Sequence, residues 1–209
     1  MSDRTRNRLL QALKVSGPQT AADLSKGLDV TPVAVRQHLD GLLSEALVEY
    51  EDSRQGGVGR PKRVWSLTQK GHGQFPDNHS GLILGLLSGL KDLYGTEGID
   101  KLISHRQAAA KEAYQKELQS ASTLKSRLDV LADLRSREGY MAQVETDGSE
   151  YLLIENHCSI CAAATACQGF CRSEMDLFQE LLGKRVALTR EEHLLTGGRR
   201  CVYRVRELA

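Results

Sequence analysis

Several things are missing from this chain. No apolar run is long enough for a bilayer: the richest, Gly81 to Leu90, is about half of the roughly 20 residues that a spanning helix needs, and Lys91 and Asp92 follow it directly. The first residues, Met-Ser-Asp-Arg-Thr-Arg, contain no apolar secretion core. Both absences point to a cytoplasmic protein without a membrane partner. Net charge is nearly absent, +1 over 209 residues, which excludes a general polyanion binder and leaves any nucleic-acid contact to local charge. Also lacking are a phosphate-cradling glycine loop, a Ser/His/Asp set, a paired carboxylate site and a parallel βαβ pattern, so the chain is not expected to be an enzyme. Aromatic residues are few, at 5%.

What is present suffices for folded domains. Hydrophobic residues make up 40% of the chain and charged residues 26%, the balance of a soluble globular protein. The length allows two modest domains. The patterning predicts a mainly α protein with an α+β C-terminal part. Its expected segments are 1–76, a winged helix-turn-helix; 77–138, a helical linker and dimerisation region; and 139–209, a small cysteine-rich domain.

Arg4 to Ser16 carries Leu9, Leu10 and Leu13 on one stripe and stops at Gly17-Pro18. Thr20 then caps a second helix, with Asp23 three residues on as in a capping box, and Ala21, Leu24 and Leu28 form its buried face. Asp29-Val30 makes a turn. Thr31 caps a third helix with Pro32 at its first position, where the missing N–H costs nothing. Val35, Leu39, Leu42, Leu43 and Ala46 fall on one side of that helix. Thr31, Val33, Ala34, Gln37 and, on the flank, Arg36 make up the outward N-terminal portion that a major-groove reader presents.

Leu47 to Asp52 and Lys62 to Leu67 then read as two strands of a hairpin. Between them Ser53 to Pro61 holds three glycines and a proline, and Arg54, Arg60, Lys62 and Arg63 set four positive charges around the tip. Such a basic tip suits phosphates and the minor groove of double-stranded DNA.

Ser80 to Tyr94 is apolar, with Gly81, Gly85 and Gly89 recurring every fourth residue. That stripe reads either as a homodimer interface or as ordinary packing within the chain. Gly98 to Ser120 and Thr123 to Arg137 continue as half-exposed helices, and His105 and Arg106 read as solvated. From Gly139 the period changes: Tyr140 to Glu145 and Glu150 to Glu155 read as strands about a Thr146-Asp-Gly-Ser149 turn. Ser173 to Leu182 reads as a helix with Met175, Phe178, Leu181 and Leu182 inside, ended by Gly183. Val186 to Thr189 and Cys201 to Val205 read as strands.

The five cysteines are the feature most in need of a reason. Cys158, Cys161, Cys167 and Cys171 give C-x2-C-x5-C-x3-C, and Cys201 lies thirty residues later. An odd number suits a disulfide framework poorly, and reduced thiols this dense are usually metal or cluster ligands. Four readings stay open on the residues alone. They are an iron–sulfur cluster, structural zinc with His157 as a possible nitrogen ligand, a thiol redox switch, and small buried apolar side chains.

Two stretches add resemblances. "TPVAVRQHLDGLLSEALVEYE" and "GVGRPKRVWSLTQKG" resemble the recognition helix and wing of bacterial winged-helix repressors of the ArsR/DeoR-like type, with Gly59-Arg60-Pro61, Trp65 and Leu67-Thr68 the distinctive part. The C-terminal half resembles the iron–sulfur sensing domain of Suf-operon repressors, the SufR type. The matching positions are Cys158 and Cys171 with twelve residues between them, then Leu181-Leu182-Gly183, then Cys201 after Gly197-Gly198. The family's remaining cysteine would fall near Arg185, and the turn before Cys201 lacks the family's acidic residue. Cys161 and Cys167 are additional, and the fourth ligand stays open among Cys161, Cys167, His157 and an exogenous group.

The resemblance implies a repressor-like transcription regulator acting on double-stranded DNA with an inverted-repeat operator. It implies an iron–sulfur cluster without settling its type; the expectation is a homodimer with [4Fe-4S] ahead of [2Fe-2S], and zinc as the alternative.

Overall fold

The computed structural model describes residues 3–53 and 62–208. The chain divides into two compact units, Met1–Asp77 and Asn78–Ala209.

In the first unit, α1 (Asp3–Ser16) is followed by β1 (Gln19–Thr20), α2 (Ala21–Leu28), α3 (Pro32–Ser44), β2 (Val48–Ser53), β3 (Lys62–Leu67) and a short α4 (Gln69–His72). The expected capping box is formed: Thr20 Oγ1 accepts the Asp23 amide at 3.2 Å, and the Thr20 amide donates to Asp23 Oδ2 at 3.4 Å. Asp29 ends α2 in the left-handed conformation, φ 53°. Thr31 Oγ1 accepts the Ala34 amide at 3.3 Å and starts α3 with Pro32 in the first turn. Leu9, Leu10, Leu13, Ala21, Leu24, Leu28, Val35, Leu39 and Leu42 meet Leu47, Val48, Trp65 and Leu67 in one core.

Ala46 departs from the expected buried stripe of α3. The helix stops at Ser44, Ala46 takes φ 56°, and its side chain is exposed. The Leu47 amide reaches back to the Leu42 carbonyl at 2.9 Å and the Ala46 amide to Leu43 at 2.8 Å, a left-handed closure that reverses the chain into β2. β3 is the central strand of an antiparallel sheet in the order β1-β3-β2. The two-residue β1 was too short to leave a period in the sequence.

The second unit begins with α5 (His79–Leu118) and α6 (Leu124–Arg137), then β4 (Ala142–Asp147), β5 (Glu150–Glu155), α7 (Cys161–Ala166), α8 (Gly169–Leu182), β6 (Val186–Glu192), a 3-10 turn (Leu194–Thr196) and β7 (Cys201–Glu207). The strands form one antiparallel sheet in the order β4-β5-β7-β6. Leu153, Tyr203, Val205 and Leu188 pack with Leu128 and Leu131 of α6, Phe178 and Leu181 of α8, and Tyr114 and Leu118 of α5.

The helices of 77–138 are therefore not a separate segment. Their apolar stripes supply one side of the core whose other side is the sheet, so 78–209 is a single unit. The two expected helices across residues 80–120 are both present, separated by a non-helical break at Gly95, φ 67° and ψ −169°; α5 denotes the pair.

Smaller shifts lie around the cysteines. β4 starts at Ala142 rather than Tyr140, because Tyr140 turns into the interior and Met141 takes φ 51°. Asp147 pairs with Glu150, so the hairpin turn is Gly148-Ser149 alone. α8 begins at Gly169, four residues earlier than expected, which puts Cys171 in its first turn. α7 was not anticipated. No helix among the described residues is long and apolar enough to cross a membrane.

Candidate functional site

The first unit presents one polar surface at α3. Thr31, Val33, Arg36 and Gln37 are exposed there, and Ala34 is half-buried beside them. Val33 is 61% exposed, an apolar side chain left in water at the start of a helix whose opposite face is fully buried. Lys62 and Arg63 are exposed at the start of β3. The Arg63 guanidinium lies over the Tyr50 ring at 4.1 Å from its centroid and 3.8 Å from Asp52 Oδ1, which orients a cation on the hairpin. Tyr50 in turn leans on buried Trp65, ring centroids 5.1 Å apart. Arg54 and Arg60 lie outside the described residues.

In the second unit the strands bring cysteines together. Glu155 at the end of β5 stands directly opposite Cys201 at the start of β7. Residues directly opposite in an antiparallel pair project to the same face, and two residues along that face lie Leu153 and Tyr203, in the helix-covered core. Cys158 follows Glu155 in the loop, where the Cys161 amide donates to the Cys158 carbonyl at 3.2 Å as α7 begins. Cys171 comes from the first turn of α8.

Cys161 and Cys201 each lie within electrostatic reach of both Cys158 and Cys171. Burial pushes the Cys158 thiol up to about 12, a backbone hydrogen bond from Ile160 opposing it. Burial also raises Cys171, reinforced by Glu174, and raises Cys201, with a backbone hydrogen bond from Leu194 opposing. Each shift disfavours the thiolate, the form that coordination to a metal restores.

Cys167 is elsewhere. It packs with Ile160 and Ala163 against Leu87, Ile99, Ile103 and Phe170. His157 is exposed.

Three charged residues that the sequence left unmarked lie beneath the thiols. Arg135 of α6 donates to Glu155 Oε1 from Nε at 2.6 Å and to Glu174 Oε1 from Nη2 at 2.9 Å. Tyr140 Oη donates to the same Glu174 oxygen at 2.6 Å, and the guanidinium sits 3.3 Å from the Tyr140 ring centroid. Arg135 falls on the stripe of Leu128 and Leu131, and an arginine at that helical spacing was the available signal. Arg190 of β6, a further cation of this region, is placed opposite Tyr203. Before Cys201, Glu192 Oε1 accepts the amides of Arg199 at 2.7 Å and Arg200 at 3.1 Å, so an acidic residue from the preceding strand anchors the turn.

The donor set fits an iron–sulfur cluster in kind. Among the described residues no three His, Cys, Asp or Glu side chains stand together as ligands of one metal ion. Ligands of a single zinc must all lie about 2.3 Å from it, whereas cysteines of a cluster bind separate irons and can stand further apart. The Nε atoms of Arg127 and Arg190 are each buried without a hydrogen-bond partner among the described residues.

Residues 1–51 match the family model described as a helix-turn-helix domain. No curated protein matches the chain. Among solved structures, the chain is similar to a MarR family regulator from Neisseria meningitidis at 19% identity, over 56% of this chain and 80% of that one, TM-score 0.30. A MarR family transcriptional regulator from Silicibacter pomeroyi gives 23%, 52% and 70%, TM-score 0.31. The adhesin competence repressor of Streptococcus pyogenes gives 14%, 54% and 82%, TM-score 0.28. The N-terminal unit is thus a helix-turn-helix domain with a β-hairpin wing, and the second unit an α-rich body on a four-stranded sheet.

Proposed function

We propose that this chain is a DNA-binding transcription regulator, acting in the cytoplasm as a homodimer, whose operator binding is controlled by an iron–sulfur cluster held in the second unit. Thr31, Val33, Ala34, Arg36 and Gln37 read bases in the major groove of an inverted-repeat operator. Lys62 and Arg63, with Arg54 and Arg60 of the wing, hold phosphates. Two-fold symmetry sets the half-sites about one helical turn, roughly 34 Å, apart. No catalytic role is assigned to any residue.

The observation that carries the regulatory half is that Cys158 and Cys161, in one stretch of chain, come near Cys171 and Cys201 from two others, with Cys167 packed in an apolar cluster. Those four residues are the ligands in this reading, and Cys161 takes the place that the sequence left open. When bound, the cluster supplies a centre that responds to iron supply and oxidation.

The protein's part is to convert order at the thiols into a change on α5. Cys158 and Cys161 bracket Ile160, and Ile160 and Ala163 press against Ile99 and Ile103 of α5. A loop fixed at two thiols holds that contact, and a free loop releases it. Leu82, Ile83, Leu86, Leu93 and Tyr94, exposed on the N-terminal half of α5, form the proposed dimer surface. In this reading a change on α5 alters operator binding.

The test is anaerobic purification with iron and sulfide assays, a visible spectrum, and DNA binding by the cofactor-loaded and stripped forms. Matching iron and sulfide, with affinities that differ between the forms, are expected. A colourless protein containing zinc would leave the DNA-binding half and remove the cluster. A protein with neither metal after reconstitution would leave a thiol switch.

A further inference from the structure

We infer that Val33 is a specificity-determining residue of the DNA-reading helix, and that it packs against the 5-methyl group of a thymine in the major groove of each half-site. The inference deepens the DNA-binding reading above and rests on it.

α3 turns by about 100° per residue, so the face it buries fixes the face it presents. Val35, Leu39 and Leu42 are buried in the core of the first unit. Val33, Arg36, Gln37 and Asp40 fall on the opposite side, and all four are exposed.

The first turn of that face is apolar. Pro32 is exposed beside Val33 and has no N–H to offer. The Ala34 amide is taken by Thr31 Oγ1 at 3.3 Å, and the Val35 amide by the Thr31 carbonyl at 3.0 Å. This end of the helix therefore presents methyl groups more than donors. Valine also holds one rotamer in a helix, so its methyl groups are presented with little freedom left to lose on binding.

Each base pair shows the major groove a distinct edge. Arginine suits the two acceptors of guanine, glutamine suits the acceptor and donor of adenine, and an apolar side chain suits the methyl of thymine. Val33 precedes Gln37 by four residues, so the two stand one above the other, about 6 Å apart along the helix. The thymine then lies within about two base pairs of the base that Gln37 reads, at ~3.4 Å per base pair. Asp40, nearly a turn further along the same face, carries the charge that phosphate repels, so the helix approaches DNA by its first two turns.

The experiment selects sites from a random-sequence duplex pool, using whichever of the cofactor-loaded and stripped forms binds DNA. The selected duplex is remade with deoxyuridine in place of each thymine in turn, in both half-sites. Uracil keeps the hydrogen-bonding groups of thymine and lacks only the methyl. Affinities are measured for the wild-type protein, Val33→Ser and Val33→Thr, with the fold checked by circular dichroism. At one thymine per half-site, the wild-type protein should lose about fourfold in affinity for each methyl removed, the worth of one buried carbon. Val33→Ser should bind the thymine and uracil duplexes alike. Val33→Thr, which keeps one methyl group, should fall between. Wild-type affinity unchanged by uracil at every thymine would overturn the inference while the DNA-binding reading stands. So would an equal uracil penalty in the wild-type protein and Val33→Ser. A selected site with no thymine within about two base pairs of the position that Gln37→Ala ceases to select would overturn it too. Failure of the wild-type protein to enrich any sequence would remove the DNA-binding reading first, and this inference with it.

Discussion

Arg135 and Glu155 form a buried ion pair, Nε to Oε1 at 2.6 Å, with both side chains almost fully shielded from water. The pair ties α6 to the last residue of β5, directly opposite Cys201. Burial pushes the Glu155 carboxyl up and Arg135 pulls it down, while two carboxylates keep Arg135 charged. Removing one partner of such a pair leaves a stranded charge, which costs more than the pair itself contributes.

Arg135→Met should therefore destabilise the second unit by about 3–5 kcal/mol, read as a lower denaturant midpoint. Adding Glu155→Gln and Glu174→Gln to that variant should restore part of the loss. If the triple variant is less stable than Arg135→Met alone, stranded charge is not the cause.

High pH should unfold this same region. Burial pushes the Tyr114 phenol up to about 12, Arg135's charge opposing, and burial raises Tyr140 further. An ordinary tyrosine loses its proton near about 10. The folded state holds these protons more tightly than the unfolded chain, so their contribution is intact below about pH 10. It is lost as pH rises through about 12. An absorbance titration of phenolate should show Tyr114 and Tyr140 ionising only with loss of tertiary structure. Reversible ionisation near pH 10 in folded protein that disappears in Tyr114→Phe or Tyr140→Phe would contradict their burial.

The thiols separate into two classes. Cys158→Ser, Cys161→Ser, Cys171→Ser and Cys201→Ser should each lower iron content after anaerobic purification, and Cys167→Ser should keep it. Iron retained by Cys161→Ser and lost by Cys167→Ser would reverse the assignment of the fourth ligand.

DNA contacts should divide by readout. Gln37→Ala or Arg36→Ala should relax base preference at one position per half-site, a discrimination of about 1–3 kcal/mol, measured by selection from a random-sequence pool. Arg63→Ala should weaken binding to all sequences and lower the salt slope by about 1. An unchanged slope in Arg63→Ala would remove the wing from the interface.

Leu86→Glu puts a charge into the exposed apolar face of α5, where Leu86 is 61% and Leu93 76% exposed. Sedimentation should show a monomer in place of a dimer, with the circular dichroism of the fold unchanged. A dimer that survives both Leu86→Glu and Leu93→Glu assembles through another surface.

The helix-turn-helix was legible because each boundary has a local chemical cause. Thr20 with Asp23, Asp29, and Thr31 with Pro32 set three helix ends without help from tertiary contacts. The end of α3 was not legible, since a left-handed alanine has no sequence signature and is fixed by bonds back to Leu42 and Leu43. Among the cysteines, spacing alone could not separate Cys161 from Cys167. That distinction depends on α7, one and a half turns of mostly small residues whose inner side is set by packing on α5.

The core shared by α5, α6, the sheet and α8 makes the second half of the chain indivisible. Leu128 and Leu131 close over Leu153 and Tyr203, so a fragment beginning at residue 139 would leave an open apolar sheet face in water. Transplanting the thiol centre onto another protein therefore requires residues 78–209 as a block. The first unit, with its own core in residues 9–67, is the half that could be exchanged without opening that core.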